Sequence, residues 1–187
     1  MNHNPSVHVD FSRAGDASVI EAIQCTWIGE RVGSDGYLVH PLPLQRIESL
    51  IASRNILVAR GGHDILAYLV FYRRPEWEAL HPRYAERLDY LTPQLRAAFQ
   101  DRDYVLIDYI AKNRAYRGDA AGRLVFRLRK LVGEWGIGHF LGEISPQNIR
   151  SAEFFTRILR AVPIGTTVRD GVAWNIYAAQ AAKGPAR

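Results

Sequence analysis

The chain has 187 residues, of which 48% are hydrophobic and 23% charged, as is typical of a globular protein with one core, and we expect a single domain over residues 1–187. The single cysteine, Cys25, excludes an internal disulfide framework, and with no signal peptide and no apolar run long enough for a bilayer we expect a cytoplasmic chain without a membrane partner. The net charge is +5, and the basic residues are scattered among acidic ones, which suits a small anionic ligand as well as nucleic acid. The histidines show no metal-ligand spacing, so no metal is expected.

The first elements are a strand and two helices. Apolar and polar residues alternate in VHVDFS, which predicts a strand. Helical spacing of apolar residues follows over 15–32, where Asp16 is a plausible N-cap. A second helix is predicted over 41–54, with Pro43 near its start.

A hairpin and a segment of different composition come next. Residues 55–75 predict two strands joined at Gly61 and Gly62. Residues 75–101 contain three prolines and several aromatic residues, and Thr92 is suited to cap a short helix there. We therefore expect a helical insert after the third strand.

Strands and helices alternate in the remaining part of the chain. The patterns predict a strand over 104–112, a helix over 121–136, a strand over 139–144, a helix over 148–162 and two strands around 166–171 and 172–179. The fold class is therefore α/β in the mixed, α+β sense, with a helical insert.

A loop of small residues lies between the strand over 104–112 and the helix that follows. Gly118 and Gly122 allow the backbone to approach a ligand closely. The helix directs free N–H groups at the loop, and Arg117 and Arg123 are bidentate donors suited to phosphate. The loop is thus a phosphate cradle or, alternatively, a turn with two solvated arginines.

Two common phosphate motifs do not match this loop. Its glycines are one residue too close for a P-loop, and the lysine of that motif is absent. Two of three glycine positions of a dinucleotide fingerprint fail, although Glu143 stands where the acidic residue of that motif would lie.

The loop and two later motifs together resemble the GNAT superfamily of N-acetyltransferases. The phosphate loop of that family is Q/R-x-x-G-x-G/A, and this chain has Arg117-x-x-Ala120-x-Gly122, with Ala120 in place of the first glycine. The family continues with a strand ending like L-E-V, an asparagine five residues after the glutamate, and A-x-x-F-Y. The matching residues are Gly142, Glu143, Ile144, Asn148, Ser151, Phe154 and Phe155. The resemblance covers roughly residues 6–178 without the insert.

The resemblance implies a fold and an activity. The GNAT fold has a central mixed, mostly antiparallel sheet, with helices on both faces, whose fourth and fifth strands part from each other. The insert lies between its third and fourth strands. The activity implied is direct transfer of an acetyl group from acetyl-CoA, the co-substrate, to a primary amine of a small molecule or a protein. The insert, with Trp77, Tyr84, Tyr90 and Phe99, is a lid on the acceptor pocket, a decorative hairpin or a contact in a homodimer.

The family also implies which residues bind coenzyme A. Its phosphates lie on the loop, and the pantetheine amides pair with main chain of the fourth strand. Lys112 stands where relatives usually have an apolar residue, and it reaches a phosphate or lies in solvent. Asn148 stands at the position of the family's asparagine and binds coenzyme A, or it caps the helix that follows. The residues so implied are Ile110, Ala111, Lys112, Arg117, Gly118, Asp119, Ala120, Ala121, Gly122, Arg123, Asn148 and Phe155.

Two carboxylates are candidates for the catalytic base. Glu143 matches the base of ribosomal-protein alanine acetyltransferases in the superfamily; alternatively it pairs with an arginine. Strand alternation places His139, Leu141 and Glu143 on one face. Asp108 is the second candidate, because it is a lone carboxylate in an apolar run; alternatively it makes a structural hydrogen bond.

The general acid is a further question. Phe155 stands where most relatives have a tyrosine that protonates the departing thiolate. It has no donor and can only pack against the pantetheine end. Either the acid is lost, or it is supplied elsewhere, by Tyr109 or Tyr116.

Three other functions remain alternatives. Ala120 and Phe155 fit a GNAT-like module that binds coenzyme A without turnover. The basic charge fits, less well, a nucleic-acid-binding protein. The weakest alternative is a dinucleotide-dependent oxidoreductase, because Glu143 stands where the acidic residue of the dinucleotide fingerprint would lie.

Overall fold

The structure is a computed structural model that describes residues 6–28, 38, 40–80, 102–169 and 172–181. Internal contacts group the chain into two compact units. The first unit comprises Met1–Arg31, Tyr37–Phe71 and Tyr109–Leu128, and the second comprises Val32–Gly36, Tyr72–Asp108 and Arg129–Arg187. That the chain is a single domain stays a prediction.

Seven strands and five α-helices are described. The strands are β1 (Val7–Phe11), β2 (Ile56–Gly61), β3 (Asp64–Arg73), β4 (Tyr104–Lys112), β5 (His139–Ile144), β6 (Val162–Arg169) and β7 (Val172–Gln180). The helices are α1 (Ala17–Cys25), α2 (Leu44–Ala52), α3 (Arg74–Leu80), α4 (Ala120–Glu134) and α5 (Ile149–Phe154), with a 3-10 turn over Ala14–Asp16 and a π-helical turn over Phe155–Leu159. No helix in these parts of the chain is long and apolar enough to cross a membrane.

The seven strands form one mixed sheet in the order β1-β2-β3-β4-β5-β7-β6. The β1–β2, β2–β3, β5–β7 and β6–β7 pairs are antiparallel, and the β4–β5 pair is parallel. This confirms the predicted fold class and the mostly antiparallel sheet that the resemblance implied.

Pairing between β4 and β5 covers only part of each strand. It runs from Tyr104 opposite His139 to Ile107 opposite Gly142. Beyond these residues β4 continues to Lys112 and β5 to Ile144. The predicted parting of the fourth and fifth strands is thereby confirmed.

Apolar stripes at helical spacing supply the core of the first unit. Ile20 and Ile23 of α1 and Ile47 and Leu50 of α2 are buried at a spacing of three residues. The strands β2 and β3 are buried along most of their length, so they read as continuous apolar runs rather than as alternating ones.

Asn55 joins the end of α2 to β3 within the first unit. Its side-chain Nδ2 donates to the carbonyl of Phe71 at 2.9 Å, and its own carbonyl accepts from the Phe71 N–H at 3.0 Å. Its N–H donates to the carbonyl of Leu50 at 2.9 Å. With only 4% of Asn55 exposed, water cannot easily replace these bonds.

Two predicted helices are shorter in the structure. The helix predicted over 15–32 ends at Cys25. Asp16 does not cap it with its side chain, because that carboxylate accepts from the Arg13 N–H at 2.6 Å and pairs with Arg60. The helix predicted over 148–162 becomes a π-helical turn at Phe155 and stops before Arg160, whose φ of 55° is left-handed.

The strand boundaries shift accordingly, since β6 begins at Val162 and not near 166. Of the predicted insert, α3 is described and buries Trp77. Thr92, with its predicted cap, lies outside the described residues.

Asn55→Ala is expected to lower the free energy of unfolding by about 1–3 kcal/mol, because the Phe71 carbonyl is left buried without that donor. Urea denaturation followed by circular dichroism measures the change. The control is Ser53→Ala, which removes an exposed hydroxyl bonded to the Ser49 carbonyl at 2.8 Å and is expected to change stability by less than about 0.5 kcal/mol. Equal effects of the two substitutions would contradict the role given to Asn55.

Candidate functional site

The predicted phosphate loop leads directly into α4, within the first unit. Arg117, Asp119 and Arg123 are exposed, and Ala120 is fully buried at the first position of the helix. Asp119 Oδ1 accepts a hydrogen bond from the N–H of Gly122 at 3.0 Å. The positive end of the helix thus already holds one carboxylate, which is the chain's own N-terminal cap.

The two glycines of the loop lie under side chains of the same loop. A Cβ atom placed on Gly118 would collide with the Tyr116 hydroxyl, and one placed on Gly122 would collide with the Asp119 carboxylate. Both obstacles are the ends of side chains and not backbone, so they can move aside for a ligand. The backbone can therefore approach a ligand closely at these two glycines only if the side chains of Tyr116 and Asp119 move.

A cavity of about 470 Å³ borders this loop in the first unit. Asn113 and Tyr116 line one part of it, and the ion pair between Asp16 and Arg60 lines another. Because Tyr116 borders open volume, its ring can leave Gly118 without displacing a buried neighbour.

The end of β4 is held by an indole from far along the chain. Trp27 Nε1 donates to the carbonyl of Lys112 at 2.8 Å, over a sequence separation of 85 residues. The Arg114 guanidinium lies 4.5 Å from the centre of the Trp27 ring, and the Asn113 N–H donates to the Leu66 carbonyl at 2.8 Å. Sequence analysis missed Trp27, since no local pattern signals so distant a contact.

The two tyrosines considered as alternative acids have structural contacts. Tyr109 donates its hydroxyl proton to the carbonyl of His40 at 3.1 Å. Tyr116 lies against Gly118, in the phosphate loop.

In the second unit, Asp108 and Glu143 lie on the same face of the parallel β4–β5 pair. The register sets Leu106 opposite Leu141, and two further residues along each strand bring the chain to Asp108 and Glu143. Both residues are half-buried. The two candidate bases are thus neighbours by register, just past the last paired residues.

His139 stands at the start of the same face. Burial lowers the pKa of its imidazole below the usual value, and the nearby Arg102 guanidinium lowers it further. Arg102 Nη1 lies 3.2 Å from His139 Nε2. His139 is therefore neutral at pH 7 and adds no positive charge beside the carboxylates.

Phe155 covers the opposite face of β5. Its ring occupies the space that a Cβ on Gly142 would need, and it meets the Tyr177 ring edge-on, with 6.4 Å between ring centres. Only 6% of Phe155 is exposed. Gly142 is thus required by packing as well as by any role in the predicted motif.

Asn148 acts as the N-cap of α5. Its Oδ1 accepts from the Ser151 N–H at 3.2 Å, and the residue is buried. Capping, one of the two alternatives for Asn148, is therefore observed.

The structure thus brings the predicted site residues together in two groups. The first unit holds Ile110, Ala111, Lys112, Arg117, Gly118, Asp119, Ala120, Ala121, Gly122 and Arg123, and the second holds Asp108, Glu143, Asn148 and Phe155. In the described parts of both units, no group of three or more His, Cys, Asp and Glu side chains could hold a metal ion.

The chain is similar to known proteins in its structure and not in its sequence. No protein-family model and no curated protein sequence matches the chain. A GNAT-family acetyltransferase from Listeria monocytogenes superposes with a TM-score of 0.66 at 15% identity, over 93% of this chain and 94% of that one.

Two further structures bear on ligands. The Salmonella typhimurium protein yncA, solved with its cofactor acetyl-CoA, gives a TM-score of 0.61 at 14% identity, over 97% of both chains. The Drosophila melanogaster polyamine N-acetyltransferase, which forms N-acetylagmatine, gives 0.62 at 12% identity, over 94% of this chain and all of that one. At such identities the likeness establishes the fold, and the fold of this chain is that of the GNAT acetyltransferases.

Proposed function

We propose that the chain is an acetyl-CoA-dependent N-acetyltransferase that transfers an acetyl group directly to a primary amine. The observation that carries this proposal is the end of β4–β5 pairing at Ile107 and Gly142, with the carboxylates of Asp108 and Glu143 on one face immediately beyond it. The GNAT fold of the chain, and a neighbour of this fold solved with acetyl-CoA, support the choice of co-substrate.

The phosphates of coenzyme A fit the loop before α4. The helix contributes its N-terminal N–H groups, and Arg117 and Arg123 contribute exposed guanidinium groups. The N–H of Gly122 is engaged by Asp119, so phosphate binding requires that carboxylate to move. Arg117 and Arg123 are proposed to hold the phosphates through their side chains, and Gly118, Asp119, Ala120, Ala121 and Gly122 through their main-chain N–H groups.

The pantetheine arm is proposed to run along the main chain of Ile110, Ala111 and Lys112. Trp27 holds this stretch of β4 through the Lys112 carbonyl, and Arg114 lies over the Trp27 ring. That carbonyl keeps one lone pair for a second donor. Asn148 and Phe155 are proposed to lie at the thiol end of the arm.

Acetyl-CoA supplies the acetyl group as a thioester. An alkylamine is mostly protonated at pH 7 and cannot attack until it loses a proton. We assign that proton to Glu143, directly or through water, with Asp108 as the alternative base. Backbone N–H groups of β4 are proposed to hold the carbonyl oxygen as negative charge develops on it.

The acceptor is proposed to be a small amine. The Drosophila neighbour, a polyamine N-acetyltransferase that forms N-acetylagmatine, supports this choice for the fold. A cytoplasmic location, where acetyl-CoA and small amines are both present, is part of the proposal.

A second function is favoured by two observations. Asp119 occupies the Gly122 N–H, and Phe155 offers no proton to a thiolate. A module that binds coenzyme A without turnover would tolerate both. Coenzyme A would raise the melting temperature of such a module, but no thiol would be released with any amine.

Coenzyme A is expected to raise the melting temperature, as a ligand of the native state does, and Gly122→Glu is expected to abolish most of that shift by placing negative charge where phosphate binds. Asp119→Asn keeps a capping oxygen but removes the charge, so coenzyme A is expected to bind roughly two- to fivefold tighter, the scale of one exposed charge. Thermal shift and calorimetry measure both effects. An unchanged shift in folded Gly122→Glu would contradict the cradle.

Glu143→Gln is expected to lower kcat by roughly 10²-fold at neutral pH, the usual scale for a general base, and the loss is expected to shrink at high pH, where free amine is abundant. Asp108→Asn, on the same face, is the matched control and is expected to cost less. Thiol release recorded against pH measures both. If only Asp108→Asn behaves in this way, Asp108 is the base.

Phe155→Tyr is expected to raise kcat or leave it unchanged, because a hydroxyl there could protonate the thiolate that the wild type releases unaided. A thiol pKa of about 8.5 makes thiolate a fair leaving group. The wild-type profile is expected to show no fall near pH 9–10, where a phenol of pKa about 10 begins to ionise. A fall that Tyr109→Phe or Tyr116→Phe removes would show that this tyrosine serves as the general acid in place of a residue at position 155.

A further inference from the structure

The direction of the Lys112 carbonyl, at the end of β4, follows from the hydrogen bond of its neighbour. The Asn113 N–H donates to the Leu66 carbonyl on β3 at 2.8 Å. The peptide between Lys112 and Asn113 is trans, so its C=O and N–H groups point in opposite directions. The Lys112 carbonyl therefore points away from β3, toward the edge of β4 along which β5 pairs only as far as Ile107. We call the part of this edge beyond Ile107 the open edge.

Trp27 lies at the open edge and carries an arginine on its ring. Trp27 Nε1 donates to the Lys112 carbonyl at 2.8 Å, so one side of the indole stands beside that oxygen. The guanidinium carbon of Arg114 lies 4.5 Å from the centre of the same ring, within the range of a cation–π contact. Both residues are half-buried. The indole thus holds a guanidinium at the open edge, one ring away from the Lys112 carbonyl.

The position of Arg114 along the chain matches a position along coenzyme A. The pantetheine arm, proposed to lie on residues 110–112, ends in a phosphate, and this phosphate is joined to the second one of the diphosphate. Arg114 comes two residues after the end of β4 and three residues before Arg117, where the phosphate loop begins. The order strand, Arg114, loop is therefore also the order of arm, first phosphate, second phosphate.

Stacking on an aromatic ring suits an arginine that binds an anion. The contact is made by the flat face of the guanidinium, so the N–H groups at its rim can still donate to phosphate oxygens. Stacking also restricts the long side chain in advance, which reduces the rotamer freedom that is lost when a ligand binds. Residues 112–123 are cationic overall, with one carboxylate, that of Asp119, and four cationic side chains, those of Lys112, Arg114, Arg117 and Arg123.

We propose that Arg114, positioned by the ring of Trp27, binds the phosphate of coenzyme A that is joined to the pantetheine arm. This proposal rests on the proposed binding of coenzyme A, and Arg114 lies outside the family motif that begins at Arg117. The loop before α4 then holds the second phosphate. The group that Arg114 recognises is the phosphate of an acylated phosphopantetheine, whether or not a nucleotide follows it.

Three ligands of increasing length test this proposal: S-acetylpantetheine, S-acetyl-4′-phosphopantetheine and acetyl-CoA. Calorimetry with the whole chain gives a Kd for each. Adding the first phosphate is expected to tighten binding by about tenfold, the scale of a hydrogen bond between charged groups. Arg114→Gln is expected to remove most of this gain and to leave the affinity for S-acetylpantetheine unchanged. Arg114→Lys keeps the charge without the planar group and is expected to keep part of the gain.

Two further variants test the role of the ring. Trp27→Leu removes the surface on which Arg114 stacks and is expected to reduce the gain from the first phosphate. Trp27→Leu combined with Arg114→Gln is expected to reduce it no further than Arg114→Gln alone, because both changes act through one guanidinium. The control is Arg73→Gln, which removes an arginine 5.9 Å from the centre of another indole, that of Trp135. It is expected to leave the gain unchanged.

The proposal is overturned if Arg114→Gln leaves the gain from the first phosphate unchanged. It is also overturned if Arg114→Gln weakens S-acetylpantetheine and its phosphorylated form equally, because the side chain is then structural. A full gain in Trp27→Leu would overturn the positioning by the ring. If none of the three ligands binds the wild type, the proposed function fails, and this proposal with it. Binding of acetyl-CoA without transfer to any amine would overturn the proposed activity alone, since the affinities test Arg114 directly.

Discussion

The site depends on one constraint, which is that β4 and β5 stop pairing at Ile107 and Gly142. Parallel strands that separate leave main-chain N–H and C=O groups without a partner strand, and such groups need another partner. The next residue on β4 is Asp108, and the next on β5 is Glu143. Phe155 packs on Gly142, where only a glycine leaves room for the ring. The packing of Phe155 on Gly142 and the proposed chemistry at Asp108 and Glu143 thus lie next to each other in the sequence of β4 and β5.

Electrostatics divide the predicted residues into two chemically different groups. The loop before α4 presents arginines and a helix N-terminus, which favour an anion, but it also carries Asp119 as an internal competitor. The Asp108–Glu143 face is acidic and favours a cation. An enzyme that joins an anionic co-substrate to an amine needs both environments. The internal carboxylate moderates the first, so coenzyme A binding is expected to be weaker than the arginines alone would give.

Local patterns predicted the strands well, because β4 and β5 show apolar runs with clear boundaries, and both match residue for residue. Helix ends were less predictable. The π-helical turn after α5 ends at Arg160, which adopts a left-handed conformation although it is not a glycine, so the sequence carries no signal for this end. The carboxylate of Asp16 pairs with Arg60 and accepts from the Arg13 N–H, so it does not cap α1. A contact such as that of Trp27 with Lys112 arises only from tertiary packing, as does the burial of the Tyr104 hydroxyl without a partner among the described residues. The roles of Glu143 and Asp108 stay predictions.

The most direct test of the account is whether acetyl leaves coenzyme A and arrives on an amine. The purified chain would be incubated with acetyl-CoA labelled in the acetyl group and a panel of small amines, and the products analysed by mass spectrometry. The account predicts a labelled N-acetyl product in an amount equal to the coenzyme A released, abolished when the chain is omitted. Coenzyme A bound without labelled product for any amine, or release only as labelled acetate, would contradict it.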